Sequence, residues 1–191
     1  MAIELVDGRR VRRHQNREAV IDALVEMFHA GIYGPGAAQI AERAGLSPRS
    51  LFRYFDDIDD LTQAAIDRQL EAAQPLLDPG VDARTPMPRR IEAFVAARVK
   101  LHEATTPGAR AARACAHRNP VVELQLRESR SFLRAQVRRL FPELTGDRAG
   151  LLPVLDALTS FETYDLMRSS QRLSTSAVTK TLVDSLSALL S

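Results

Sequence analysis

The stretch GAAQIAERAGLSPRSLFRYF, Gly36 to Phe55, constrains the fold more than any other part of this chain. Ile40, Ala41 and Ala44 recur at helical spacing, and Leu51, Phe52 and Phe55 do so on a second short piece. Between them stands Gly45-Leu46-Ser47-Pro48. Gly45 suits the left-handed conformation that ends a helix. Ser47 is a capping residue, and Pro48 holds the favoured first helical position. Two short helices joined by a tight glycine turn make a helix-turn-helix, whose second helix fits a DNA major groove.

What surrounds this stretch reads as helix too. Residues 14–31 carry an apolar stripe of Ala19, Val20, Ala23, Leu24, Met27 and Phe28, suited to packing under the motif. β-Branched alternation is sparse, and Asn-Gly or Asp-Gly hairpin signals are absent. The expected class is therefore all-α. Residues 1–13 lack an apolar pattern and read as a flexible arm. Arg9, Arg10, Arg12, Arg13 and Arg17 cluster there and into the first helix. Two readings stay open: a basic arm reaching phosphates or a minor groove, or a frayed, solvated terminus.

Charge must be argued by position, because 26 basic against 24 acidic residues leave a formal net charge of only +2. On the second helix of the motif, Arg49, Ser50, Arg53 and Tyr54 surround apolar Leu51 and Phe55. Arginine bonds guanine O6 and N7 in bidentate fashion. Serine and tyrosine hydroxyls bond phosphates or base edges, and an aromatic ring contacts a thymine methyl. Gly34-Pro35-Gly36 opens a dinucleotide-like pattern, but the third glycine is missing and a helix precedes it, so that reading is rejected. A helix start after glycine can still meet a phosphate through its free amides.

Residues 14–61 resemble the DNA-binding domain of the TetR (tetracycline repressor) family of bacterial regulators. Ile40-Ala41, Ala44-Gly45-Leu46-Ser47, Leu51-Phe52, Tyr54-Phe55 and Leu61 carry the resemblance. Three positions depart from the family's pattern. Gly36 stands where a capping threonine is frequent. Phe52 replaces a common tyrosine, so it can pack but cannot bond a phosphate. Ile58 replaces a backbone-touching lysine. The resemblance implies DNA contacts from Gln39, Arg49, Ser50, Arg53 and Tyr54; Gly36, Ser47 and Phe52 of the motif, and Arg12 and Arg13 of the arm, complete the candidate DNA-binding set. It also implies a helix over 56–73 that bridges the DNA-binding domain to a C-terminal regulatory domain. Asp56, Asp57, Asp59 and Asp60 suit the positive end of that helix.

Beyond the Pro-rich loop at 75–88 the resemblance fades, and helical patterns follow at 89–103, 107–116, 120–141, 146–169 and 174–190. The expectation is about nine helices: an arm (1–13), a three-helix DNA-binding domain (14–61) and a helical ligand-binding and dimerisation domain (62–191). Helix-turn-helix proteins read palindromic half-sites as dimers, and Leu151, Leu155, Leu158, Val178, Leu182, Leu186 and Leu189 form the candidate pairing stripes. A pocket for a small-molecule effector of unknown identity is expected within 88–170. Phe94, Val95, His102, Phe132, Phe161, Glu162 and Asp165 are its candidate lining.

Catalytic patterns are wanting. His102-Glu103 begins an H-E-x-x-H zinc pattern, but Thr106 replaces the second histidine. Cys115 and His117, two residues apart, point to different sides of a helix. The four histidines lack metal spacing. No enzyme, cofactor or metal is expected. A single cysteine, no signal-like leader and no long apolar run lead to an expected cytoplasmic protein with no membrane partner. The function expected is a regulator, usually a repressor, that binds a palindromic double-stranded operator as a homodimer and is released by the effector. The alternative is a ligand-binding or interaction protein whose DNA-binding domain has weakened, given Ile58 and the acidic turn.

Overall fold

A computed structural model describes residues 2–191, with side chains described from Arg10 onward. Among these residues there are nine α-helices and no strand. They are α1 (Ala2–His29), α2 (Ala37–Arg43), α3 (Pro48–Leu51), α4 (Ile58–Ala73), α5 (Met87–Cys115), α6 (Pro120–Leu140), α7 (Leu151–Leu158), α8 (Phe161–Asp165) and α9 (Thr175–Leu190). The all-α expectation and the helix number stand.

Four boundaries differ from the sequence reading. The arm is not separate from the first helix: α1 is continuous from Ala2. Met1 and the side chain of Arg9, both within the expected arm, lie outside the described residues. The second helix of the motif is a single turn, and its hydrogen bonding tightens beyond Leu51, with Tyr54 N–H donating to Leu51 O at 2.9 Å. Helices expected at 89–103 and 107–116 are one, α5, with Pro107 inside it. Proline lacks the N–H that would bond back along the helix. In the turn before it, the Thr105 and Thr106 hydroxyls bond Leu101 O (2.8 Å) and His102 O (2.7 Å). The stretch 146–169 is split into α7 and α8, because Ser160 caps a new helix by accepting from Thr163 N–H. A wide π-type turn, Leu166–Ser170, follows α8.

The chain forms two compact units, 1–71 with 107–126, and 72–106 with 127–191. The sequence reading put the boundary near residue 61 and gave 107–126 to the C-terminal part.

In the first unit, Val20, Ile21, Leu24 and Met27 of α1 pack with Ile40 and Ala41 of α2, with Leu51 and Phe55, and with Leu61 and Ala65 of α4. Gly45 adopts φ +69° between α2 and α3, the left-handed turn its position requires. Arg68 of α4 reaches Glu18 and Asp22 of α1. At Gly108 a Cβ would stand 1.9 Å from Gln69 Oε1, so α5 and α4 meet closely there.

The second unit buries Ile91, Phe94, Val95 and Val99 of α5, together with Val137, Leu140, Phe141, Leu155, Phe161, Tyr164, Val178, Leu182 and Leu186.

Candidate nucleic-acid interface

The motif is held by caps that follow from its residues. Ser47 Oγ accepts from Ser50 N–H at 3.2 Å and shares a 2.9 Å hydrogen bond with Ser50 Oγ, fixing the start of α3. Gly36 N–H donates to Gln39 Oε1 at 3.0 Å, half of a capping box at the start of α2. The amide that glycine was expected to offer a phosphate is therefore taken by Gln39, and the side-chain oxygen of Gln39 is taken as well.

Tyr54 is half-buried, and its hydroxyl accepts from Asn16 Nδ2 at 2.9 Å. It ties α3 to α1. The residues that face outward are Arg49, Phe52 and Arg53. Phe52 is 49% exposed. Neither the Arg49 nor the Arg53 side chain makes a hydrogen bond or ion pair among the described residues. Arg12 and Arg13 are exposed on α1, Arg12 Nε donating to Gly8 O at 3.2 Å.

Sequence reasoning missed several parts of this surface. Asn16 positions Tyr54. Arg17 lies 4.9 Å over the Phe55 ring, a cation-π contact that also anchors α1 to the motif. Arg43 is bonded to Glu26 at 3.1 Å. Ile32 and Tyr33, in the loop before α2, are exposed. Only pairings over long sequence separation mark the first two, and no local pattern carries those.

The acidic turn also has a structural explanation. Asp56 N–H donates to Asp60 Oδ2 at 3.2 Å, and Asp60 N–H donates to Asp57 Oδ1 at 2.8 Å. Asp59 accepts from Asn119 Nδ2 at 2.9 Å. The Asp57 carboxylate thus takes a free donor in the first turn of α4, Asp60 takes one just ahead of it, and Asp59 holds Asn119.

The expected ligand lining is only partly brought together. Phe94 meets Phe141 edge-on at 5.5 Å, and His102 lies 5.8 Å from Phe161 and 5.5 Å from Tyr164. Val95 is buried. Phe132, 52% exposed, is turned outward on α6. Glu162, exposed, pairs with Arg130 at 2.7 Å, and Asp165 is half-buried. An open depression of about 340 Å³ lies elsewhere in the second unit, lined by Val81, Asp82, Ala83, Arg84, Arg139 and Leu140. There the hydrogen bond from Arg84 lowers the Asp82 carboxyl below its ordinary range.

The expected pairing stripes need correction. Leu155, Val178, Leu182 and Leu186 are buried within the chain itself, where they fill the core of the second unit. Leu151, Leu158 and Leu189 remain part-exposed.

Cys115 is half-buried, and burial pushes its thiol up, away from a reactive thiolate. No group of three or more His, Cys, Asp or Glu side chains fit to hold a metal occurs among the described residues. No helix among them is long and apolar enough to cross a membrane.

A two-helix reader with a capped, arginine-bearing second helix defines a helix-turn-helix protein. Residues 20–65 match the family described as bacterial regulatory proteins, tetR family. A transcriptional regulator from Rhodococcus sp. RHA1 has a similar fold, with TM-score 0.70 and 18% identity over 91% of this chain and 95% of that one. A TetR-like transcriptional regulator from the same source gives 0.60 and 22% over 88% and 91%. Among curated protein sequences, none matches this chain. Residues 20–65 are thus similar in sequence to the DNA-binding part of TetR-family regulators, and the rest of the chain shares the fold of such structures.

Proposed function

We propose that the protein is a cytoplasmic repressor that grips a palindromic operator as a homodimer and lets go when a small molecule binds its second unit. The observation that carries the DNA half of this reading is the outward pair Arg49, on α3, and Arg53, in the tight turn that follows it, where the other polar groups are engaged in caps and ties. Those ties leave few side chains to compete with the arginines for base edges. The basic residues of α1 add phosphate contacts, and they do so from a helix.

The reading departs from the sequence expectation at the pairing surface. The part-exposed Leu151 and Leu158 recur on α7 with Val154, which is 41% exposed, at positions i, i+3 and i+7. Leu189 of α9 is part-exposed, and Leu166 beyond α8 is 52% exposed. The outward apolar stripe on α7 supports a protein partner of the same kind.

Selection of bound fragments from a random DNA pool tests the reading. A recovered inverted repeat, bound by a species of dimer mass, is the expected result. Half-sites without symmetry, or a monomer at working concentration that Val154→Arg leaves unchanged, would defeat the dimer. Recovery of no preferred sequence would defeat the operator reading.

A further inference from the structure

Phe52 is the large apolar side chain of the motif that stays outside its core. Leu51 and Phe55 on either side are 0% and 2% exposed, whereas Phe52 is 49% exposed. It belongs neither to the core cluster of the first unit nor to the part-buried residues packed against that cluster, which include Leu46 and Tyr54. The backbone around it is tight. Arg53 N–H donates to Ser50 O at 3.2 Å and Tyr54 N–H to Leu51 O at 2.9 Å, each three residues back. In such a turn residues three apart stand nearly in line. Arg49 and Phe52 are so spaced, and Arg53 follows directly.

The polar neighbours of the ring are already engaged. Ser47 and Ser50 hold each other at the start of α3, and the Tyr54 hydroxyl is tied to Asn16. What remains outward is two guanidinium groups and, between them in sequence, one apolar ring. Base edges in a major groove offer partners of both kinds. Guanine presents O6 and N7 to an arginine, and thymine presents a 5-methyl group to an apolar side chain. Contact between ring and methyl group is favourable because it takes apolar surface out of water. Without a hydroxyl, Phe52 has no hydrogen bond to give a phosphate.

We infer that Phe52 is a specificity-determining residue whose ring meets the 5-methyl group of a thymine lying beside a guanine read by Arg49 or Arg53. The inference rests on the operator reading above and states which bases each half-site contains. It has a corollary. 5-Methylcytosine carries the same group at the same ring position, so this contact accepts it in place of thymine.

The operator selected from a random pool supplies the probe, and gel shift of the full chain reads binding. Each thymine of the half-site is replaced in turn by deoxyuridine, which removes the methyl group alone. One position is expected to lose about fourfold per half-site, the worth of burying one such group. At that position a 5-methylcytosine·guanine pair should bind better than cytosine·guanine by a similar factor. 7-Deazaguanine at the neighbouring guanine lacks the N7 acceptor and should also weaken binding. Phe52→Ala should bind the thymine and uracil operators equally. Phe52→Tyr, which keeps the ring, should keep the preference. Both variants should unfold near the urea midpoint of the unaltered protein, since the ring lies outside the core, and the deoxyuridine series needs no variant. Uracil tolerated at every thymine, half-sites without thymine, or a methyl preference that survives in Phe52→Ala would overturn the inference and leave the operator reading intact. A pool that yields no preferred sequence would defeat both.

Discussion

The two units of this chain handle polarity in opposite ways. In the first, the described core is apolar, and Thr62 is its one buried polar residue, bonded to Ile58 O at 2.7 Å. Its charges lie on the surface, where they cap, tie or face outward. The second unit buries Arg90, Arg98, His102, Gln136 and Thr159. A reader of DNA needs rigid geometry and exposed donors, and an apolar core with satisfied caps supplies both. Buried polar groups in low dielectric are costly when unpaired, so they are found where pairing has a purpose. The contrast teaches where to look for regulation: in the core of the second unit rather than on its surface.

The largest expected effect tests the apolar half of the contrast. Phe55 is 2% exposed in the first core and carries Arg17 on its face. Phe55→Ala should cost about 3–5 kcal/mol in unfolding free energy, read by urea denaturation. A loss under about 1 kcal/mol would show that the motif does not depend on this core. In the second unit, Arg98→Met should be close to neutral or mildly stabilising, since apolar replacement of a buried charge often is. Equal losses in both would erase the distinction between the units.

Next in size is the loss of base reading. Arg49→Ala should cost about 1–3 kcal/mol of operator affinity and relax preference at one base position, as a bidentate guanine contact would. Gel shift against the selected site and its single-base variants measures it. Unchanged affinity would take Arg49 out of the interface and leave Arg53 with Phe52 as the readers.

Ser47→Ala removes the α3 cap and should cost about 1 kcal/mol of stability. Tyr54→Phe separates two roles that the sequence alone could not. As a DNA contact, the hydroxyl would cost binding with no loss of stability. As the partner of Asn16, it should cost about 0.5–1.5 kcal/mol of stability, and Asn16→Ala should reproduce that loss without adding to it.

How much was legible follows from the range of the interactions involved. The motif was readable because its signals are local: Gly45, Ser47 and Pro48 act on their immediate neighbours, and the apolar spacing repeats every turn. The one-turn length of α3 was not readable, since Phe52 to Tyr54 carry a helical pattern yet close as a tighter turn. Pro107 misled for a related reason. A proline with glycine after it reads as a break, but in α5 the helix continues through it. The stripes on α7 and α9 showed that faces were apolar without showing which neighbour covers them. Leu155 and Leu182 turned out to face their own chain. Tyr54 was placed on the DNA because its partner, Asn16, is 38 residues away. The buried arginines were invisible for the opposite reason: among 24 arginines, nothing in the sequence separates Arg90 and Arg98 from the solvated ones.

The smallest expected effect concerns the paired arginine of the second unit. Arg90 is nearly fully buried, and its Nη2 donates to Glu143, which keeps 39% of its side chain exposed. Burial pushes the Glu143 carboxyl up, but the hydrogen bond and charge of Arg90 outweigh this and hold it below its ordinary value. A carboxyl lowered in the folded state stabilises it above the unfolded value, and that contribution fades as pH falls through the folded value. Stability of the second unit should therefore lose a component on the acid side of the usual carboxylate range. Solvent screening keeps it small, about 1 kcal/mol or less. Glu143→Gln should remove that part of the pH dependence while keeping an acceptor for Arg90, and urea midpoints followed downward from neutral pH measure it. Identical acid limbs for the two proteins would mean that Arg90 does not draw on Glu143 for its charge balance. Arg90 and Arg98 would then be alike, two buried cations both lacking an effective counter-charge from their own chain.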